Sequence, residues 1–287
     1  MKKFFILLFF VATFSVAGYS LTYHYDVNGD GVVTASDVTA LYDYMLGNVP
    51  GGDQFDVNGD GVVTAADVTA LYDSMLGNVP GGSQGGHEWV DLGLPSGTLW
   101  ATMNVGANSP EEYGDNFAWG ETTPKDYYDW STYEWCMGNY NKLTKYSTWS
   151  TYGYNGFVDN KTELDPEDDA ATAKWGPEWR MPSLEQIQEL LNNCTTQWTT
   201  RNGVNGHLFT SNINGASLFL PAAGYRWGDE LNDAAGSWGS YWSRTLCSIT
   251  PDSAYHLDFN YSGSVCGTWT ADRYCGRSVR AVRVSQN

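Results

Sequence analysis

An internal duplication constrains this chain more than any other feature. Asp26–Gly52 recurs as Asp56–Gly82, with changes only at Ser36/Ala66 and Tyr44/Ser74. Each copy opens DVNGDGVVTA, an alternation of oxygen-bearing side chains broken by a glycine, and runs into a stretch of helical periodicity. A short unit of this kind cannot bury an apolar stripe alone, so the two copies are expected to pack on each other.

With Asp26 as position 1 of a loop of about twelve residues, the oxygen donors are Asp26, Asn28, Asp30, the Val32 carbonyl, Thr34 and Asp37. The second copy offers Asp56, Asn58, Asp60, Val62, Thr64 and Asp67. A hard cation takes roughly six to eight oxygens, and glycine at position 6 allows the sharp bend that such a loop needs. The expected metal is Ca2+, one ion per copy and two in all. Residues 21–86 carry nine aspartates and no Lys, Arg or Glu, a charge density that two divalent cations would relieve. After each loop, Val38, Leu41, Tyr42, Met45 and Leu46, and again Val68, Leu71, Tyr72, Met75 and Leu76, form an apolar stripe. Gly47 and Pro50 stop the first helix. So small a unit has little core, and metal is expected to supply part of its stability.

Two DxNxDGxxxxxD loops, each followed by a single helix and without the incoming helix of an EF-hand, resemble a dockerin, over about residues 22–82. The resemblance implies a cohesin-type or other protein partner. It places Ala35, Ser36, Ala65 and Ala66, at positions 10 and 11 of the loops, toward that partner. The near-identity of the copies implies a pseudo-twofold docking surface. Asp43 and Tyr44 stand where dockerin helices often carry basic residues.

Residues 1–20 have the order of a secretory signal peptide: Lys2 and Lys3, an apolar run from Phe4 to Val16, then Ala17, Gly18 and Ser20. No later segment is apolar enough to span a membrane. The expected product is secreted, extracellular or surface-associated, with the periplasm left open, and has no membrane span once the leader is cleaved. A formal charge of −18 argues against nucleic acid as a partner. The cysteines, Cys136, Cys194, Cys247, Cys266 and Cys275, form no zinc pattern; Cys266 with Cys275 is the pair to inspect for a bridge.

Gly81–Gly86, GGSQGG, reads as a flexible linker between residues 21–80 and residues 87–287. All thirteen tryptophans lie beyond it. Trp89–Leu94 and Thr98–Val105 read as a strand pair turning at Pro95-Ser96-Gly97, and Ser109–Glu112 as a short helix start. Ser183 N-caps a helix with Gln186 completing a capping box, and Leu184, Ile187, Leu190 and Leu191 make its stripe. Leu218–Leu220, Ala254–Phe259 and Ser278–Val284 are the best remaining strands. The expected architecture is a small all-α calcium-loop module of two loop–helix repeats plus a loop-rich α+β domain.

The segments VDLGLPSGTLWATMNVGA (90–107), FAWGET (117–122), WGPEWRMPSLEQIQELL (175–191), FLPAAGYRWGDEL (219–231), YWSRT (241–245) and GRSVRAVRV (276–284) together resemble the Fibrobacter succinogenes major paralogous domain, widespread in secreted proteins of the Bacteroidetes. That family is similar to a branch of the C-type-lectin-like fold that includes formylglycine-generating enzymes. The resemblance implies a surface that binds a glycan or a protein, and places Arg244, Cys247, Tyr261, Cys266, Trp269, Arg273 and Tyr274 nearest the ligand.

Non-catalytic binding is the leading expectation. The cysteine spacing does not match the oxidising relatives, and the histidines are scattered. The carboxylates Glu121, Asp229, Glu230 and Asp258 show no pairing signal of the kind glycoside hydrolysis needs. Two alternatives stay open: a polysaccharide-degrading accessory enzyme, and a calcium module acting only as an intramolecular cap.

Overall fold

The structure is a computed structural model, and it describes residues 27–30, 34–57, 62–75, 81–84, 87–231, 234–262 and 266–284. The expected leader lies outside these residues, as do the loop positions Asp26, Val32, Asn58 and Asp60.

Each repeat folds into one helix, α1 (Ala35–Met45) and α2 (Ala65–Met75). Thr34 starts α1: its hydroxyl accepts from the helix's first turn while the Asp37 carboxylate accepts from the Thr34 N–H, a reciprocal capping box. The chain leaves α1 through Gly47 at φ 74, with Gly47 N–H bonded to the Tyr44 carbonyl and Asn48 N–H to the Asp43 carbonyl. That is a Schellman closure, which needs a left-handed residue. Val27, Val38 and Leu41 meet Val57, Val68, Leu71 and Phe55 in one small core. The expected stripe is only half used: Tyr42, Met45, Leu46 and Tyr72 stay exposed. A two-helix layer has one inner surface, and the buried Val and Leu of each helix fill it. Phe55 also explains one of the two differences between the copies. It stacks on Tyr44 with ring centroids 4.4 Å apart, whereas the residue at the matching place after Ser74 is Gly85.

The remaining chain builds several small sheets. Strands β1 (Gly81–Gln84), β2 (His87–Asp91) and β3 (Thr98–Ala101) join the last strand, β12 (Val282–Val284), in the order β1-β2-β3-β12. The Gly-rich stretch expected as a free linker is therefore, over Gly81–Gln84, an edge strand antiparallel to β2. Ladder bonds come from the backbone, so a segment without side chains can still pair. The expected hairpin forms, with Gly97 N–H bonded to the Leu94 carbonyl at its turn, but its strands end at Asp91 and Ala101, short of the expected Leu94 and Val105. The expected helix start at Ser109–Glu112 is a single turn, closed by the Glu112 carboxylate accepting from Asn108 N–H. Helix α3 (Ala170–Trp175) is N-capped by the buried Asp169, whose carboxylate also accepts from Met181 N–H. Helix α4 (Leu184–Asn193) has the Ser183/Gln186 capping box read from its sequence.

Strands β4 (Cys194–Arg201), β5 (Val204–Ser211) and β6 (Ser217–Pro221) form a meander. The two-residue strands β7 (Arg226–Trp227) and β8 (Glu230–Leu231) make a ribbon. Strands β9 (Trp238–Leu246), β10 (Ser253–Asn260) and β11 (Cys266–Asp272) form a third sheet, and β12 is Val282–Val284. The strand expected over Ser278–Val284 is thus shorter. Residues 276–278 instead make single bridges to Arg226, Phe117 and Tyr241, threading between segments. Two large apolar clusters result, one around Trp119, Trp179 and Trp242, the other around Trp100, Phe209 and Phe259. All five cysteines are free thiols, Cys266 and Cys275 included. No helix among the described residues is long and apolar enough to cross a membrane.

Candidate calcium and partner-binding site

The first loop draws its described donors together. Asp37 is fully buried; its Oδ1 accepts from Asn28 N–H at 3.2 Å and its Oδ2 from Thr34 N–H at 2.8 Å. Asn28 Oδ1 accepts from Asp30 N–H at 2.8 Å, and the Asn28 amide nitrogen donates to Asp30 Oδ2 at 3.1 Å. The second loop repeats the anchor: Asp67 is fully buried and its Oδ2 accepts from Thr64 N–H at 2.7 Å. Position 9 thereby does two jobs, offering an oxygen to the loop and capping the helix. The T-x-x-D spacing carries that second job, which a reading for metal ligands alone passes over.

These residues fit Ca2+. The donors are all oxygens, and two carboxylates are wholly removed from solvent in a segment without a Lys or Arg. Burying carboxylates in so acidic a segment is costly, and a hard cation in the loop offsets that cost. Asn28, Asp30, Thr34 and Asp37 would hold one ion, with Asp56, Val62, Thr64 and Asp67 in the second loop; Asp26, Val32, Asn58 and Asp60 complete the two sets outside the described residues. Among the described residues no three acidic, His or Cys side chains gather at one point, since the remaining aspartates of each set lie outside them.

Above the loops, Ala35, Ser36, Ala65 and Ala66 are all exposed. Ser36 is also tied to the loop beneath it: its hydroxyl lies 2.9 Å from the Asn28 amide nitrogen and 2.7 Å from the Thr34 hydroxyl. Ala66 has no such group, so the two copies present chemically different surfaces. Tyr42 and Tyr72, equivalent in the repeat, are 47% and 46% exposed. Residues 24–76 match the dockerin type I domain. No curated protein and no solved structure matches the chain. A dockerin module binds calcium, which agrees with the oxygen-only donor set of both loops.

The seven residues expected near a ligand of the C-terminal domain do not form one surface. Arg273 is fully buried: its guanidinium donates to the Tyr133 hydroxyl and to the Tyr146, Pro251 and Lys145 carbonyls, and faces the Trp119 ring at 5.0 Å. Cys247 and Tyr274 are buried, and Cys266 is half-buried. Arg244 is engaged with Glu163, Gln186 and the Met181 carbonyl. Only Tyr261 and Trp269 are broadly exposed. Two of the candidate acids are likewise engaged, Glu121 with Lys125 at 2.8 Å and Asp258 with His256 at 3.2 Å, whereas Asp229 is exposed.

Proposed function

We propose that this chain is an exported, non-catalytic binding protein: the dockerin module attaches it to a protein partner when two Ca2+ are bound, and the C-terminal domain, with a C-type-lectin-like fold, holds a glycan or protein ligand. The match of residues 24–76 to the dockerin family carries the first half. The exposed Ala35, Ser36, Ala65, Ala66, Tyr42 and Tyr72 support a docking surface repeated by the pseudo-twofold, with a cohesin as the expected class of partner. Isothermal titration of the full chain with calcium, followed by partner capture with and without chelator, tests it. Two sites and calcium-dependent capture lost in D26A/D56A are expected. Capture that survives chelation would overturn calcium-dependent assembly.

One observation favours the module acting as a cap on its own chain. Gly81–Gln84, the segment that follows the repeats, pairs with β2 of the larger domain and does not run as a free linker. The two readings differ in whether calcium changes the C-terminal domain's own stability, a difference measured below.

A further inference from the structure

We propose that Trp227 and Tyr127 form a stacking platform for an uncharged, pyranose-based polysaccharide. The proposal rests on the binding reading above and gives it a site and a ligand class. Trp227 ends strand β7 beside the turn Gly228-Asp229, and at 63% exposure it is among the most exposed large side chains of the domain. The ring edge of Tyr127, itself 48% exposed, lies 3.8 Å from the point a Cβ on Gly228 would occupy. Two aromatic rings therefore flank one tight turn.

The turn is clamped from both sides. Tyr128 and Gly228 exchange both backbone hydrogen bonds, at 2.7 and 2.8 Å, and Arg226 and Gly276 exchange theirs at 2.7 and 3.0 Å. Gly276 lies two residues beyond Tyr274, which is buried and packs edge-on against Trp130 at 5.0 Å. The backbone beneath Trp227 is thus fixed while its ring remains in solvent, and an aromatic side chain on a fixed backbone loses little entropy on binding.

Ring faces carry the negative lobe of the aromatic quadrupole and attract the weakly positive C–H face of a pyranose. The exposed carboxylates Asp126 and Asp229, neighbours of the two rings in the chain, can accept hydroxyl protons and would repel an anionic ligand. Of the bases beside the two rings in sequence, Lys125 is committed to Glu121 and the Thr132 carbonyl, and Arg226 is half-buried in β7. The chain's charge of −18 also disfavours acidic polymers. Of the other exposed tryptophans, Trp149 donates its indole N–H to the Ser248 carbonyl beside the exposed Ile249, and Trp269 stands on the edge strand β11.

The test is affinity electrophoresis of the full chain through hydroxyethylcellulose, arabinoxylan, galactomannan and pullulan, with polygalacturonate as the anionic comparison. Retardation by at least one neutral polymer and none by polygalacturonate is expected. W227A should weaken it at least ten-fold and Y127A several-fold. W227F should keep most of it, W149A should leave it unchanged, and excess chelator should not abolish it. Far-UV and near-UV spectra of W227A matching the parent exclude unfolding as the cause. Binding unaffected by W227A, or preferring polygalacturonate, would overturn the proposal while sparing the broader binding reading. A protein ligand lost in W227A would overturn the ligand class. No polymer retarded would overturn the proposal, and a screen finding no protein ligand either would remove the binding reading with it.

Discussion

Single buried polar side chains carry much of the C-terminal domain's specificity. Arg273 illustrates this: four groups from distant segments accept from one guanidinium inside a Trp119–Tyr133–Tyr146 cage. Truncating it orphans those acceptors in the interior. R273A should therefore cost about 3–5 kcal/mol, and R273K should rescue little because an ammonium lacks the planar fork. Urea unfolding of the full chain, followed by tryptophan fluorescence, measures both. His256 is a second case. Burial first, and the Arg277 charge after it, hold its pKa below the usual histidine value, against the pull of Asp258. Asp258 stays ionised although burial opposes it, because His256 and Arg277 outweigh that effect. His207 and His87 are lowered by burial too. The unfolded chain then binds protons before the folded one does, so stability is full above about pH 6.5 and falls as pH drops from there toward the folded values. The urea midpoint should decline between pH 7.5 and 5, and H256Q should flatten that decline. A midpoint constant over this range would show that these histidines are not held neutral. None of these roles was legible in the sequence. Arg273 stood out only by its place near the C-terminus, which put it on the wrong side of the surface, because burial is decided by contacts more than a hundred residues away in the chain.

At the scale of elements, legibility follows the range of the interactions. Helix α4 and its capping box could be read directly, since Ser183, Gln186 and the apolar stripe meet within a few residues. So could the turn at Pro95–Gly97. Strand β1 could not, because the pairing of Gly81–Gln84 with β2 uses backbone groups that leave no mark in side-chain pattern. The stretch after Gly276 could not either: its partners belong to separate segments, and single bridges impose no period. In the dockerin module the two loop–helix repeats were legible from the duplication, while the split of each stripe into a buried Val–Leu pair and an exposed Tyr depends on how thin a two-helix layer is. The shared use of Thr34 as loop oxygen and helix cap makes a prediction that separates the two roles. T34A removes the cap hydroxyl and should cost about 1 kcal/mol in helix stability with or without metal. D37N keeps an acceptor for the Thr34 N–H but removes a charge from the ion site, so its defect should appear chiefly in calcium affinity. Far-UV circular dichroism in chelator and in calcium distinguishes them. Equal helix loss for both variants in chelator would mean that the cap and the ligand are not separable.

The whole molecule joins two units of different stability origin. The dockerin module has one small apolar core and nine aspartates between residues 21 and 86 without a basic residue, so its cohesion is expected to depend on bound cation. The larger domain has two extensive aromatic clusters. A ligand that binds only the folded state stabilises it in proportion to the logarithm of its concentration over its dissociation constant. Calcium should therefore raise the melting point of the module and leave that of the domain where it is. The chain allows a clean measurement, because every tryptophan lies in the domain while two of the four α-helices among the described residues lie in the module. Helical ellipticity at 222 nm then reports both units, and tryptophan fluorescence reports the domain alone. Chelation should abolish a calcium-dependent phase in ellipticity and leave the fluorescence transition unmoved. If fluorescence shifts as well, calcium reaches the domain through the chain that joins the two, and the module is a cap on its own chain before it is a docking device for another. If fluorescence stays still, the two units melt independently, and the only use left for a metal-dependent surface carrying Tyr42 and Tyr72 into solvent is a partner that this chain does not supply.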